Sequence, residues 1–116
     1  MGALTSVART NEQGLREISV HDALAVRGKV RLVDVREPLE WTGELGHIEG
    51  AELVPLATVA QAAAGWDRAA EVVLVCRSGG RSGRATAQLA SMGFSGVYNM
   101  VGGMLAWNDA KLPVAR

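Results

Sequence analysis

The chain has 116 residues, and 12 lysines and arginines balance 12 aspartates and glutamates. That length supports a single domain, and 48% hydrophobic against 21% charged residues excludes a disordered chain. A net charge of zero argues against a nucleic-acid-binding surface or a polybasic membrane face.

In chain order, residues 1–14 show no hydrophobic period and read as a mobile arm, and residues 15–116 as the domain. Leu15–Ile18 reads as a short strand. Ser19 is an N-cap candidate for a helix over Val20–Arg27, with Asp22 in its acidic first turn and Gly28 as its stop. Val30–Val35 is a β-branched run and predicts a strand. A helical turn over Glu37–Trp41 follows, with Pro38 at its start. The glycine-rich stretch 43–50 predicts a loop, Ala51–Val54 a weak strand and Leu56–Ala64 a helix. Glu71–Val75 is apolar almost throughout, the mark of a strand buried on both faces of a parallel sheet. Gly83–Met92 carries a helical stripe of Ala85, Leu89 and Met92; Val97–Asn99 reads as a strand and Met104–Asp109 as a last helix. Strands alternating with helices predict an α/β fold: an open parallel sheet with helices on both faces and right-handed crossovers.

Cys76 is the single cysteine, which excludes an internal disulfide and a multi-cysteine metal site. His21 and His47 lack ligand spacing, so neither a metal nor a cofactor is expected. No apolar stretch approaches the ~20 residues of a membrane span, and Met1–Thr10 lacks the apolar core of a signal peptide. A cytoplasmic monomer that binds neither membrane nor nucleic acid is the expectation, with a thiol that stays reduced.

Ligands of open α/β sheets bind beyond the carboxyl ends of the strands, and Cys76 stands there, directly after the most apolar strand. The following Arg77, Ser78, Gly79, Gly80, Arg81 and Ser82 lead into a helix. Unpaired N–H groups at a helix start favour a thiolate, glycines let the backbone curl into an anion-binding nest, and the arginines add positive charge. A lone cysteine after a strand is otherwise a small buried hydrophobe, but two arginines, two serines and two glycines make a poor core segment.

The segments VDVREP-EW (Val33–Trp41), GHIEGA (Gly46–Ala51), VCRSGGRS (Val75–Ser82) and YNMVGGMLAW (Tyr98–Trp107) together resemble the single-domain rhodanese (sulfurtransferase) family. The resemblance implies a five-stranded parallel sheet and a Cys76 that takes sulfane sulfur as a persulfide. A small anionic donor such as thiosulfate would bind at Arg77, Arg81 and the loop residues Ser78, Gly79, Gly80 and Ser82. A thiol, a protein acceptor or cyanide would then remove the sulfur. The loop from Cys76 to Arg81 is one residue shorter than in the cysteine-dependent phosphatases that resemble this fold, which favours sulfur over phosphate. Alternatives are a persulfide relay between protein partners and, further off, a phosphatase or arsenate reductase. Asp34 and Arg36 are supporting residues, read either as a structural ion pair or as a pair that orients the Cys76 loop. His47 reads as a hydrogen-bonded loop residue. The stretch Thr42–Leu45 is longer than in many relatives and is expected near the active-site edge.

Overall fold

The computed structural model describes residues 4–116. Eleven elements follow in chain order: β1 (Arg9–Thr10), β2 (Arg16–Ile18), α1 (Val20–Ala25), β3 (Arg31–Asp34), α2 (Pro38–Trp41), β4 (Glu52–Leu53), α3 (Leu56–Ala63), β5 (Glu71–Val75), α4 (Gly80–Ser91), β6 (Gly96–Met100) and α5 (Gly103–Asp109). One sheet runs in the order β1-β2-β6-β5-β3-β4. Five strands are parallel, as expected, and β1 adds a sixth, antiparallel to β2.

Residues 4–14, within the segment read as a mobile arm, make contacts with the domain. Leu4 is 1% exposed within the core, and β1 pairs with β2 through Arg9–Glu17 and Thr10–Arg16. A two-residue strand plus one buried side chain is too short to leave a period in the sequence. Residues 1–3 of that arm lie outside the described residues.

The central strands are buried on both faces. Strand alternation sends Val73 and Val75 of β5, with Tyr98 and Met100 of β6, into a core with α1 and α5 that includes Leu32, Ile48, Met104 and Trp107. The opposite parity sends Val72, Leu74 and then Cys76 into a second core with Val33, Val35, Val59, Ala85, Leu89 and Val97 on the side of α3 and α4. The nucleophile candidate thus continues a buried alternation and points beneath α4. Ser19 caps α1 as expected, its hydroxyl accepting from the Asp22 N–H.

Helix α4 starts at Gly80, three residues before the expected start at Gly83. Its first turn carries no large apolar side chain, so the hydrophobic stripe does not reveal it. Arg81 and Ser82 therefore sit on the helix, not in the loop before it. Gly79, the N-cap, has φ +107°, a left-handed conformation open to glycine at little cost.

Helix α5 docks its N-terminus onto the same loop. Met104 N–H donates to the Cys76 carbonyl at 2.8 Å and Leu105 N–H to the Arg77 carbonyl at 3.0 Å. Gly103 makes this approach possible: its φ is +57°, and a Cβ there would overlap the Cys76 and Arg77 carbonyl oxygens. The Gly102–Gly103 pair is the tight strand-to-helix turn its sequence suggests, and it also braces the peptide that carries the thiol.

Candidate active site

The β5 strand ends at the C-terminal edge of the sheet and delivers Cys76 beneath the 77–82 turn. Cys76 is 1% exposed, yet its sulfur faces its own loop. Gly79 N–H donates to Sγ at 3.1 Å and the Ser82 hydroxyl lies 3.3 Å away. Burial pushes the thiol up, but hydrogen bonds from the Ser82 hydroxyl and from the N–H groups of Ser82, Gly79 and Ser78 outweigh it. The thiol therefore ionises below its ordinary value. The N–H-lined bowl expected from the sequence is present, with a serine hydroxyl as the strongest of the stabilising contacts.

Ser82 is fully buried and also reaches Asn99 Oδ1 at 2.5 Å. Its hydroxyl has one proton for two acceptors. Against a protonated thiol that proton goes to Asn99, and Sγ–H can donate to the serine oxygen. Ionisation turns the proton onto the sulfur. Asn99 Nδ2 donates to the Gly79 carbonyl at 3.1 Å, which fixes the amide with its oxygen toward Ser82. Asn99 was not among the expected site residues, although alternation along β6 gives the signal. Tyr98 and Met100 face α1 and α5, so Asn99 must face α4, and it pairs in register with Leu74, two residues before Cys76.

The arginines divide. Arg81 makes a bidentate ion pair with Glu40 of α2, Nη1–Oε1 2.7 Å and Nη2–Oε2 2.8 Å. This pairing holds the Glu40 carboxyl at about 2 against the opposing effect of partial burial. The same hydrogen bond raises Arg81, with smaller contributions from Cys76 and Asp34. Glu40 is the second residue sequence reasoning missed. Its available signal is local: Glu37 and Glu40 form the reciprocal capping box of α2, which fixes Glu40 at the turn facing the loop. Arg77 is exposed and lines a cavity of about 250 Å³ with Arg36, Glu40, Gly43, Glu44 and Leu45. Gly43, Glu44 and Leu45 of the longer Thr42–Leu45 stretch line this cavity beside Arg77. Ser78 and Gly80 are exposed on the loop.

Asp34 and Arg36 are each 1% exposed and bonded to each other, Arg36 Nη2 to Asp34 Oδ2 at 2.8 Å and Nε to Oδ1 at 2.9 Å. The guanidinium also donates to the carbonyls of Gly46 at 2.7 Å and Glu40 at 3.2 Å. This is the structural ion pair of the two readings, and it holds α2 and the 43–50 loop in place beside the bowl. His47 contacts the Trp41 carbonyl through Nδ1 at 2.9 Å and stacks on the Trp41 ring at 3.7 Å, so it acts as a loop staple, as expected.

A parallel α/β sheet with a thiol cradled by N–H groups at the start of a helix is a geometry in which an anionic sulfur can be held. The chain belongs to the rhodanese family: the Rhodanese-like domain matches residues 19–110. It is 44% identical over 87 residues to the Synechocystis protein slr1261, covering 75% of this chain and 48% of that protein, so it spans about half of that relative's length. It is 37% identical over 95 residues to thiosulfate sulfurtransferase GlpE of Pseudomonas entomophila, covering 81% of this chain and 85% of GlpE. Among solved structures, the human single-domain sulfurtransferase TSTD1 superposes with TM-score 0.71 at 26% identity over 80% of this chain and 95% of that one. Relatives with these names support sulfur transfer as the general chemistry of the family. Among the described residues no helix is long and apolar enough to cross a membrane.

Proposed function

We propose that the protein is a sulfurtransferase that moves sulfane sulfur from thiosulfate or a related donor to a thiol or cyanide through a persulfide on Cys76. The observation that carries this reading is the sulfur's position: Sγ is turned into its own loop, 3.1 Å from the Gly79 nitrogen and 3.3 Å from the Ser82 hydroxyl oxygen. The Cys76 thiolate attacks the outer sulfur of thiosulfate; the sulfur–sulfur bond breaks and sulfite leaves with its electron pair. The transferred sulfur remains on Cys76 as a persulfide anion, held by loop N–H groups that stabilise negative charge. A thiolate or cyanide then attacks that terminal sulfur and regenerates the Cys76 thiolate. Covalent catalysis in two half-reactions gives ping-pong kinetics.

Cys76 is the only cysteine in the chain, so an acceptor thiol comes from outside these 116 residues. That observation favours, as the second reading, a persulfide relay in which a protein supplies or takes the sulfur. Incubation with thiosulfate and cyanide tests the first reading: thiocyanate forms with the wild type and not with Cys76→Ala. Absence of thiocyanate beside an active control enzyme counts against it.

A further inference from the structure

Three negative charges meet when a dianionic donor approaches a thiolate, so the cations around the bowl decide which donors reach it. The described charged groups around this edge are Asp34, Arg36, Glu37, Glu40, Glu44, Arg77 and Arg81, with Arg84 on the other flank of the loop and Arg116 donating to the Glu44 carbonyl at 2.7 Å. Arg36 is consumed by Asp34, and Arg81 by both oxygens of Glu40. Arg77 lines the adjoining cavity together with Glu44. The loop sequence CRSGGRS carries two guanidiniums, and folding takes one of them, that of Arg81, into an ion pair. The pairing is not incidental: Glu40 is fixed by its capping bond to the Glu37 N–H at 3.0 Å, and its carbonyl by Arg36.

We infer that Glu40 determines the charge class of the sulfur donor: by occupying Arg81 it leaves the entrance better suited to a thiol persulfide than to a dianion such as thiosulfate. The inference rests on the sulfur-transfer reading above and narrows its donor. In the step it favours, the Cys76 thiolate attacks the outer sulfur of R–S–SH and the sulfur–sulfur bond breaks. The thiolate R–S⁻ leaves, and the proton stays on the sulfur now bound to Cys76. The reacting sulfur of the protonated donor brings no charge to the thiolate, so this step does not need a second free guanidinium beside Arg77. Glu40 acts here as a positioning residue, through Arg81, and does not touch the reacting atoms.

The test compares wild type, Glu40→Gln and Glu40→Asp with thiosulfate and with cysteine persulfide as donors and cyanide as acceptor. Wild type is expected to show the higher kcat/KM with the persulfide. Glu40→Gln retains an oxygen for the Glu37 N–H but releases most of the Arg81 charge. Its KM for thiosulfate should fall about five- to tenfold, the size of one added unit charge acting on a dianion across several ångströms of solvated cleft. That gain should vanish near ~1 M salt, where the screening length shrinks to about 3 Å. The persulfide KM should move far less, and Glu40→Asp, which keeps the charge, should retain the wild-type ratio of the two KM values. Arg77→Gln should raise the thiosulfate KM more than Arg81→Gln does, a comparison that holds even where Glu40→Gln folds poorly. The inference is overturned by a wild type that prefers thiosulfate, by a KM ratio that Glu40→Gln leaves unchanged, or by Arg81→Gln having the larger effect. Failure of Cys76 to gain sulfur from either donor would instead sink the sulfur-transfer reading itself.

Discussion

Replacing Ser82 by alanine removes the largest contribution that holds the Cys76 thiol below its ordinary value. A hydrogen bond to a charged group contributes ~1.5–3 kcal/mol, and one pKa unit corresponds to about 1.4 kcal/mol. Ionisation in the wild type also draws the Ser82 proton away from Asn99 Oδ1, a 2.5 Å contact, so the net gain lies toward the lower end of that range. Losing this hydrogen bond should therefore cost the thiolate about 1.5 kcal/mol, and the thiol pKa in Ser82→Ala should rise. Because Cys76 is the only thiol in the chain, ultraviolet absorbance of the thiolate reports it directly, with Cys76→Ala as the blank. The sign follows from linkage: a depressed pKa means the thiolate is present above it and disappears as pH falls through it, so the variant's titration curve moves to higher pH. Sulfur transfer at neutral pH should fall in step with the thiolate fraction. An unmoved titration curve would show that the loop N–H groups alone set the ionisation, and would refute the role given to the hydroxyl.

Arg36→Ala leaves the Asp34 carboxylate buried without its guanidinium partner and frees the carbonyls of Glu40 in α2 and Gly46 in the loop; a loss of ~3–5 kcal/mol is expected, read from urea unfolding. Gly103→Ala forces a Cβ against the Cys76 and Arg77 carbonyls at φ +57°. It should lower both stability and sulfur transfer, whereas Gly65→Ala, which meets nothing within 4 Å, should change neither by much. The Glu40 carboxyl is lowered to about 2, so its pair with Arg81 stabilises the fold above the ordinary carboxylate range and is lost as pH falls from ~4.5 toward that value. Because the pair is partly solvated, acid titration of stability should show a difference of no more than about 1 kcal/mol between wild type and Glu40→Gln.

The parallel sheet is legible because β5 is a run of branched apolar residues bounded by turn signals, and the Cys76 loop because its residue types make no sense as core. Ser19, Gly79 and the Gly102–Gly103 turn are legible for the same reason: each solves a backbone problem that its neighbours announce. Other features depend on tertiary placement. Leu4 and β1 are too short to show a period. The start of α4 is hidden because Arg81 and the glycines beside it add nothing to a hydrophobic stripe. Most consequential is the pairing of Arg81 with Glu40, 41 residues away in the chain. Charge counted along the loop cannot show which guanidinium is already taken. Asn99 lies between these cases, since strand parity gives its face but only the fold brings Ser82 to it.

Persulfide formation on Cys76 is the central claim, and intact-mass measurement after exposure to thiosulfate or a persulfide donor tests it most directly. The wild type should gain the mass of one sulfur atom per chain, lose it on addition of cyanide or a thiol, and show no gain in Cys76→Ala. A wild-type mass that stays unchanged with every donor, or an equal gain in Cys76→Ala, would contradict it.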